Sequence, residues 1–388
     1  MIQNPNYVLK EIADVAYLLP TGQEIADFKK GLKLNATSAY IWELLKNDLS
    51  LKELMDALII HYEADAKEAD ALKKDVTAFI QLLSTHGMLL WEDRIPEGTE
   101  GLWHTLSVAG LSFSLYGNAE LFSDRLLPFC TPFADPLPAA DLTVSVLIGS
   151  PAVRKNGRVI VRNRELIIME DEEHFILLFP SEPQILEAHL RKDASFYNIY
   201  CIPPVTEKLR EALFCAIRVG FLYLAQKKGM AVLHSASVLF EEKAYLFSGP
   251  SGTGKSTHTN LWHSLYDTPI LNGDLNLLAF ENRMPVVHGI PWCGTSGICT
   301  TETHPLGGIV ILRQDREDFV NTLSLDKQIL SVTNRMITPN WTHSLFEKNL
   351  QFASGLSACI PIVQLHCTPT RHAVEVMREY LKTTAPSL

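Results

Sequence analysis

Gly249-Pro250-Ser251-Gly252-Thr253-Gly254-Lys255-Ser256 fits the pattern G-x-x-x-x-G-K-[ST]. The spacing has a physical meaning. Glycines let successive backbone N–H groups turn inward around a polyphosphate, the lysine reaches the outer phosphates, and a hydroxyl at the last position can hold Mg²⁺. Gly249, Ser251, Gly252, Thr253, Gly254, Lys255, Ser256 and Thr257 are therefore the candidate nucleotide-binding residues. The flanks agree. An apolar strand, Ala244-Tyr245-Leu246-Phe247-Ser248, enters the loop, and a helical stretch, Thr257-His258-Thr259-Asn260-Leu261-Trp262, leaves it. The phosphates would then lie on a helix N-terminus. The ligand expected is ATP or GTP with Mg²⁺.

Working outward, 388 residues suggest two or three domains, and a hydrophobic content of 47% suffices for packed cores. A net charge of −10 argues against a nucleic-acid partner. No basic, then apolar, segment opens the chain, so secretion is not expected. The longest apolar stretch, residues 212–225, contains Arg218 and is too short to span a bilayer, so no membrane association is expected. Seven cysteines are scattered without a C-x-x-C pair, the pattern of free thiols in a reducing cytoplasm. The oligomeric state is not legible, and a homo-oligomer is compatible with the sequence.

The first 92 residues form one block. Tyr17-Leu18-Leu19 and Leu32-Lys33-Leu34 read as short strands around Pro20-Thr21-Gly22. Three helices follow: one from Asn35, one from Ser50 with Glu53 completing a capping box, and one from about Glu68 to Thr85, stopped by Gly87. Met88-Leu89-Leu90-Trp91 reads as a closing strand, so the unit is winged-helix-like. Lys29, Lys30 and Lys33 read as a solvated face.

This block resembles the PqqD family, also called the RiPP recognition element. The matching runs are residues 34–45 (Leu34-Asn35-Ala36-Thr37-Ser38-Ala39-Tyr40 onward), Leu51-Lys52-Glu53-Leu54, and Leu82-Leu83-Ser84-Thr85-His86-Gly87-Met88-Leu89. The resemblance implies that the block binds the leader of a ribosomally made precursor peptide as an added β-strand, near Leu18 to Leu34.

Residues 93–105 are polar and rich in Pro and Gly and read as a linker. From Leu106 strand-like runs dominate, then a long helix from about Val205 to Lys228, then Leu233-His234-Ser235-Ala236-Ser237-Val238 before the P-loop strand. Beyond the loop, Ile270-Leu271-Asn272-Gly273-Asp274 reads as an apolar strand ending in a metal-binding or catalytic carboxylate. His288-Gly289-Ile290-Pro291-Trp292-Cys293-Gly294 is a further candidate functional loop. His258, His263 and His288 show no metal-ligand spacing.

Residues 106–381 resemble the superfamily of HPr kinase and ATP-type phosphoenolpyruvate carboxykinase, and more closely the HPr-kinase-like proteins of peptide-modification clusters. The likeness rests on the His234 strand, the P-loop with its helix, the Asp274 strand, and Pro291-Trp292-Cys293-Gly294. It implies that Lys255 and the loop hold the phosphates, that Ser256 and Asp274 hold the metal, and that His234 lies near the transferred group. Asp274 matches the first of two adjacent aspartates, the one that deprotonates the acceptor hydroxyl. The second is Leu275 here, and Asn276 or Glu302 are the candidates to replace it.

The expectation is an α/β protein: a small winged-helix-like PqqD-type domain over residues 1–92, a linker over 93–105, and an HPr-kinase-like P-loop domain over 106–388. It would phosphorylate a Ser or Thr hydroxyl of a captured peptide, with Asp274, His234 and Lys255 catalytic. Two other readings stand beside it. One is a nucleotide-dependent peptide scaffold without transfer chemistry, and the other a small-molecule kinase.

Overall fold

The computed structural model describes residues 1–384, apart from Asp48, Arg94, Glu97, residues 135–137 and Arg154. Arg94 and Glu97, both in the expected linker, lie outside the described residues. Contacts group the chain into two compact units: Met1–Gly101 with Tyr116–Leu121 and Thr143–Leu213, and Leu102–Leu115 with Phe122–Leu142 and Phe214–Leu388. The first unit thus reaches well past residue 92 of the sequence.

The first unit begins with an antiparallel sheet in the order Tyr7–Ile12, Val15–Pro20, Leu32–Leu34. Helices follow at Ala36–Leu44, Leu51–Tyr62 and Ala66–Thr85. Their starts are written in the sequence. Asn35 accepts from the Ser38 amide at 2.7 Å, and Ser50 with Glu53 and Asp65 with Glu68 make reciprocal capping boxes. Each cap is worth about 1 kcal/mol. Trp42, Leu45, Leu54, Leu58 and Leu83 fill the core between helices and sheet. The closing strand, Leu89–Trp91, pairs antiparallel with Ile2–Gln3 and parallel with Ser150–Pro151.

A second sheet of this unit runs in the order Arg158–Arg162, Ile167–Glu170, His174–Leu178, Ile185–Arg191, Phe196–Cys201, Leu142–Ile148, the last pair being parallel. Asp93 is tied to it. Its carboxylate accepts from Tyr200 Oη at 2.6 Å and Asn198 Nδ2 at 3.1 Å, and it lies 2.7 Å from His189 Nδ1. His189 is fully buried, and its Nε2 meets Glu187 at 2.9 Å. A residue expected in a linker is therefore an anchor.

The second unit is organised by a mixed sheet. Strand Lys243–Ser248 pairs antiparallel with Ala231–Phe240 and parallel with Thr303–Gln314, which also pairs parallel with Ile362–Cys367. Leu275–Glu281 and Met284–His288 complete the path from Ala231–Phe240 to Thr303–Gln314. Alternation along the strands decides what packs where. Leu246, Ile309, Ile311 and Ile362 share one core with Val332, Ala353 and Leu356 of the helices Leu325–Thr333 and His343–Cys359. Their neighbours Phe247, Val310, Leu312 and Val363 share the other with Trp262, Val374 and Met377 of the helices Lys255–Tyr266 and Arg371–Thr384. Both faces are covered by helices, which fixes the P-loop at the end of a buried strand.

Candidate nucleotide and phosphoryl-transfer site

Strand Lys243–Ser248 delivers the chain to Gly249, and helix Lys255–Tyr266 begins six residues later. The turn between them needs its glycines. Gly254 has φ 94°, and a Cβ on Gly249 would lie 2.7 Å from Thr253 Oγ1 and 3.1 Å from the Leu312 carbonyl. Thr253 braces the turn by donating to the Pro250 carbonyl at 2.7 Å. No side chain caps the helix, so the amides of its first turn stay available to an anion. Ser251, Gly252, Ser256 and Thr257 are exposed at this end. Lys255 Nζ makes only long contacts, to the carbonyls of Gly249 at 3.3 Å and Pro250 at 3.4 Å. Burial lowers the Lys255 ammonium below the usual lysine range. The charge of Asp274 opposes that shift and Arg335 adds to it.

Asp274 does not end a strand as expected. It sits in the gap between Ile270–Asn272 and Leu275–Glu281, where the chain breaks its pairing with Ala231–Phe240 at Ser237 and resumes it on the same strand at His234. Its carbonyl accepts from the Ser235 amide at 2.9 Å, and its Oδ1 lies 3.0 Å from His234 Nε2. The hydrogen bond from His234 is the main cause that holds the Asp274 carboxyl below the usual carboxylate range. Burial opposes it, while the charges of His234, Lys255 and Arg218 help. The side chains of His234 and Asp274 keep 33% and 37% of their surface, so the pair faces open space.

Two residues missed in the sequence add to this field. Arg335 follows helix Leu325–Thr333, and its carbonyl accepts from the His234 amide at 2.9 Å. Arg218 lies one turn beyond Phe214 and one before Phe221 on helix Glu207–Lys227. Trp292 packs against both phenylalanines, with ring centroids at 5.6 and 5.1 Å, and donates from Nε1 to the Phe214 carbonyl at 2.8 Å. The Pro291-Trp292-Cys293-Gly294 run is thus an anchor for the helix that carries Arg218. A charge inside the otherwise apolar stretch 212–225 was the available signal, but it served only as an argument against a membrane span. Gly294 completes the site's wall: it has φ 67°, and a Cβ there would lie 2.8 Å from Asp274 Cβ.

The candidates for a second carboxylate do not replace it. Leu275 keeps only 3% of its surface, so its position points into the core. Asn276 is fully buried and committed elsewhere. Its Oδ1 accepts from Ser237 and Asn272, both at 2.8 Å, and its Nδ2 donates to the Ser235 carbonyl and hydroxyl. Glu302 is exposed and lies 3.5 Å from His304. Among the described residues no group of three or more His, Cys, Asp and Glu could hold a metal ion. Likewise, no helix among them is long and apolar enough to cross a membrane.

Comparison with known proteins bears on the first domain. The family described as Coenzyme PQQ synthesis protein D (PqqD) matches residues 20–89. Those residues form a PqqD-type domain. No curated protein matches the chain. Among solved structures, the Hpr(Ser) kinase/phosphatase from Coxiella burnetii aligns at a TM-score of 0.25 and 12% identity, over 40% of this chain and 99% of that one. At that score the chemistry of the second unit rests on its own geometry.

Within the PqqD-type domain, strand Val15–Pro20 is paired on both sides, and Leu18 and Leu34 are core residues. The expected docking surface therefore narrows to the main-chain edge of Leu32–Leu34. Ile25 and Phe28, in the connection leading to that strand, are 60% and 91% exposed.

Proposed function

We propose that this chain transfers the terminal phosphoryl group of ATP or GTP to a Ser or Thr hydroxyl of a precursor peptide captured by residues 1–92. The observation that carries the reading is the Asp274–His234 pair, placed where its charge reaches the P-loop lysine.

The loop residues Gly249 to Thr257 would cradle the phosphates with backbone amides, and Lys255 would neutralise the outer ones. Ser256 and Asp274 are the proposed metal ligands. A divalent ion held by one hydroxyl, one carboxylate and the phosphates themselves suits Mg²⁺, which seldom uses an all-protein cage. Bound there, it would neutralise charge on the transferred group. Asp274, kept ionised by His234, would take the proton of the acceptor hydroxyl. Arg218 and Arg335 would hold the field positive around the phosphates. A leader added at the Leu32–Leu34 edge, with an apolar residue against Phe28 and Ile25, would raise the local concentration of the acceptor, to about millimolar for a short flexible tether.

A second reading has its own observation. With Leu275 buried and Asn276 committed, Asp274 stands without a second carboxylate. A nucleotide-dependent peptide scaffold would need no more than that. Steady-state ADP formation separates the two. The kinase reading expects ADP release that depends on the peptide and is abolished in Lys255→Ala, whereas tight binding of both ligands with no peptide-dependent ADP supports the scaffold.

A further inference from the structure

A cavity of about 500 Å³ opens in the second unit, and none of the residues assigned to phosphoryl transfer lines it. Its floor is the end of the antiparallel ladder where His288 faces Thr303. Its rim includes Ser107, Thr131 and the Ala109-Gly110 turn. The volume falls within the range of small-molecule sites.

His288 is the informative residue. It keeps 5% of its surface and lines the cavity, yet among the described residues its Nε2 has no hydrogen-bond partner. Native proteins seldom leave such an atom unmet without a ligand or water to meet it. The other ring nitrogen, Nδ1, lies 2.8 Å from Thr303 Oγ1. With the proton on Nδ1 and donated to that hydroxyl, Nε2 presents a lone pair. Burial lowers His288 against the pull of Glu281 and so favours the neutral ring. Glu281 Oε1 stands 3.4 Å from Nε2 without closing a hydrogen bond. No lysine or arginine lines the cavity among the described residues, and Glu281 is the one carboxylate.

A carboxylate beside an unmet imidazole lone pair, with hydroxyls around them, offers acceptors and negative charge. The matching ligand has several donors and no acceptor, which describes an ammonium group. We propose that this cavity binds a primary ammonium group between Glu281 and His288. The proposal goes beyond the phosphoryl-transfer reading and does not depend on it.

The test uses the full chain and three probes in ligand-observed NMR and calorimetry: Nα-acetyl-lysine methylamide, 1,4-diaminobutane, and the norleucine isostere of the first. At least one ammonium probe should bind and the norleucine probe should not. Glu281→Gln, a change at an exposed residue, should weaken the ammonium probe about tenfold, the scale of one charged hydrogen bond. His288→Leu should weaken it as well, and if that variant fails to fold, Glu281→Gln alone decides. Binding of the blocked lysine assigns the site to a peptide side chain; binding of the diamine alone assigns it to a free amine. The proposal is overturned if no ammonium probe binds, if norleucine binds equally, or if Glu281→Gln leaves the affinity unchanged.

Discussion

His234 Nε2 lies 3.0 Å from Asp274 Oδ1, although forty residues separate them in the chain. The sheet makes the pair. His234 stands opposite Leu275 in the register, and the Ser235 amide grips the Asp274 carbonyl. Leu275 therefore fills the core while Asp274 turns outward beside a histidine. In that setting an imidazole can orient a carboxylate and hold it ionised, which is what a base for a hydroxyl proton requires.

Asp274→Asn removes the proton acceptor but keeps the shape. Turnover should fall about 10²-fold or more, the scale of a positioned base, while nucleotide affinity changes little. A rise in the Mg²⁺ requirement instead would assign Asp274 to the metal. The pH dependence has a defined sign. Because the Asp274 pKa is lowered, activity through this base should persist through the ordinary carboxylate range as pH falls and be lost only below it. His234→Ala should move that acid limb to higher pH.

Lys255→Ala should abolish MgATP binding by calorimetry without lowering thermal stability, since Nζ makes only long contacts to loop carbonyls. Unchanged affinity would remove the P-loop assignment.

Gly294→Ala tests the wall of the site. The new methyl would sit 2.8 Å from Asp274 Cβ at a φ of 67°, so it must displace the carboxylate or the turn. Turnover should drop at least about tenfold with nucleotide binding kept. Gly297→Ala is the control: its φ is 65° but nothing lies within 4 Å, so it should bear backbone strain alone and lose far less activity. Equal losses in both variants would mean that the contact with Asp274 does not matter.

What the sequence made legible was local. The strand–loop–helix order around Gly249 to Ser256 and the capping box at Ser50 need only neighbouring residues to be read, whereas the third helix starts at Ala66 behind a second box at Asp65, ahead of the expected Glu68. Asp274 was found, but its placement between two strands was not, because the break in pairing is set by Ser237 and His234 of one distant strand, Ala231–Phe240. Arg335 reaches the site through a helix after the last recognisable motif, and Arg218 through the packing of Trp292. Asp93 looked like linker because polarity and nearby Pro and Gly carry no sign of a buried partner. Its partners His189 and Tyr200 lie in strands that no motif marks.

Asp93 and His189 give a stability prediction. Burial alone would raise the Asp93 carboxyl, but hydrogen bonds from His189, Tyr200 and Asn198 hold it well below the usual range. Burial would lower His189, but the Asp93 and Glu187 carboxylates outweigh it and raise it. A lowered carboxyl contributes stability above its unfolded pKa, and that contribution is lost in acid. A raised histidine contributes below its unfolded value of about 6.5 and loses that contribution as pH rises through the folded value. Urea midpoints should therefore peak between about pH 4.5 and 6.5. Asp93→Ala removes the acceptor of His189 Nδ1, Tyr200 and Asn198, leaving His189 with Glu187 alone, and should lower the urea midpoint while flattening that peak. An unchanged pH profile would show that the cluster is not coupled to folding.

Phe28→Ser should weaken leader binding about tenfold in fluorescence anisotropy, because a large exposed aromatic near a free sheet edge is the natural anchor for an added strand. The fold should be unaffected, since Phe28 is 91% exposed. Full affinity in this variant would move the docking site away from the Leu32–Leu34 edge.

Transfer to a peptide is read directly by intact-mass spectrometry of a short precursor peptide that carries a leader and a Ser or Thr. After incubation with the full chain and MgATP, the peptide should gain the mass of one phosphoryl group, on a Ser or Thr. It should gain none with Lys255→Ala and only a small fraction with Asp274→Asn. A peptide that binds tightly but keeps its mass with the unaltered chain would contradict the kinase account and leave the scaffold in its place.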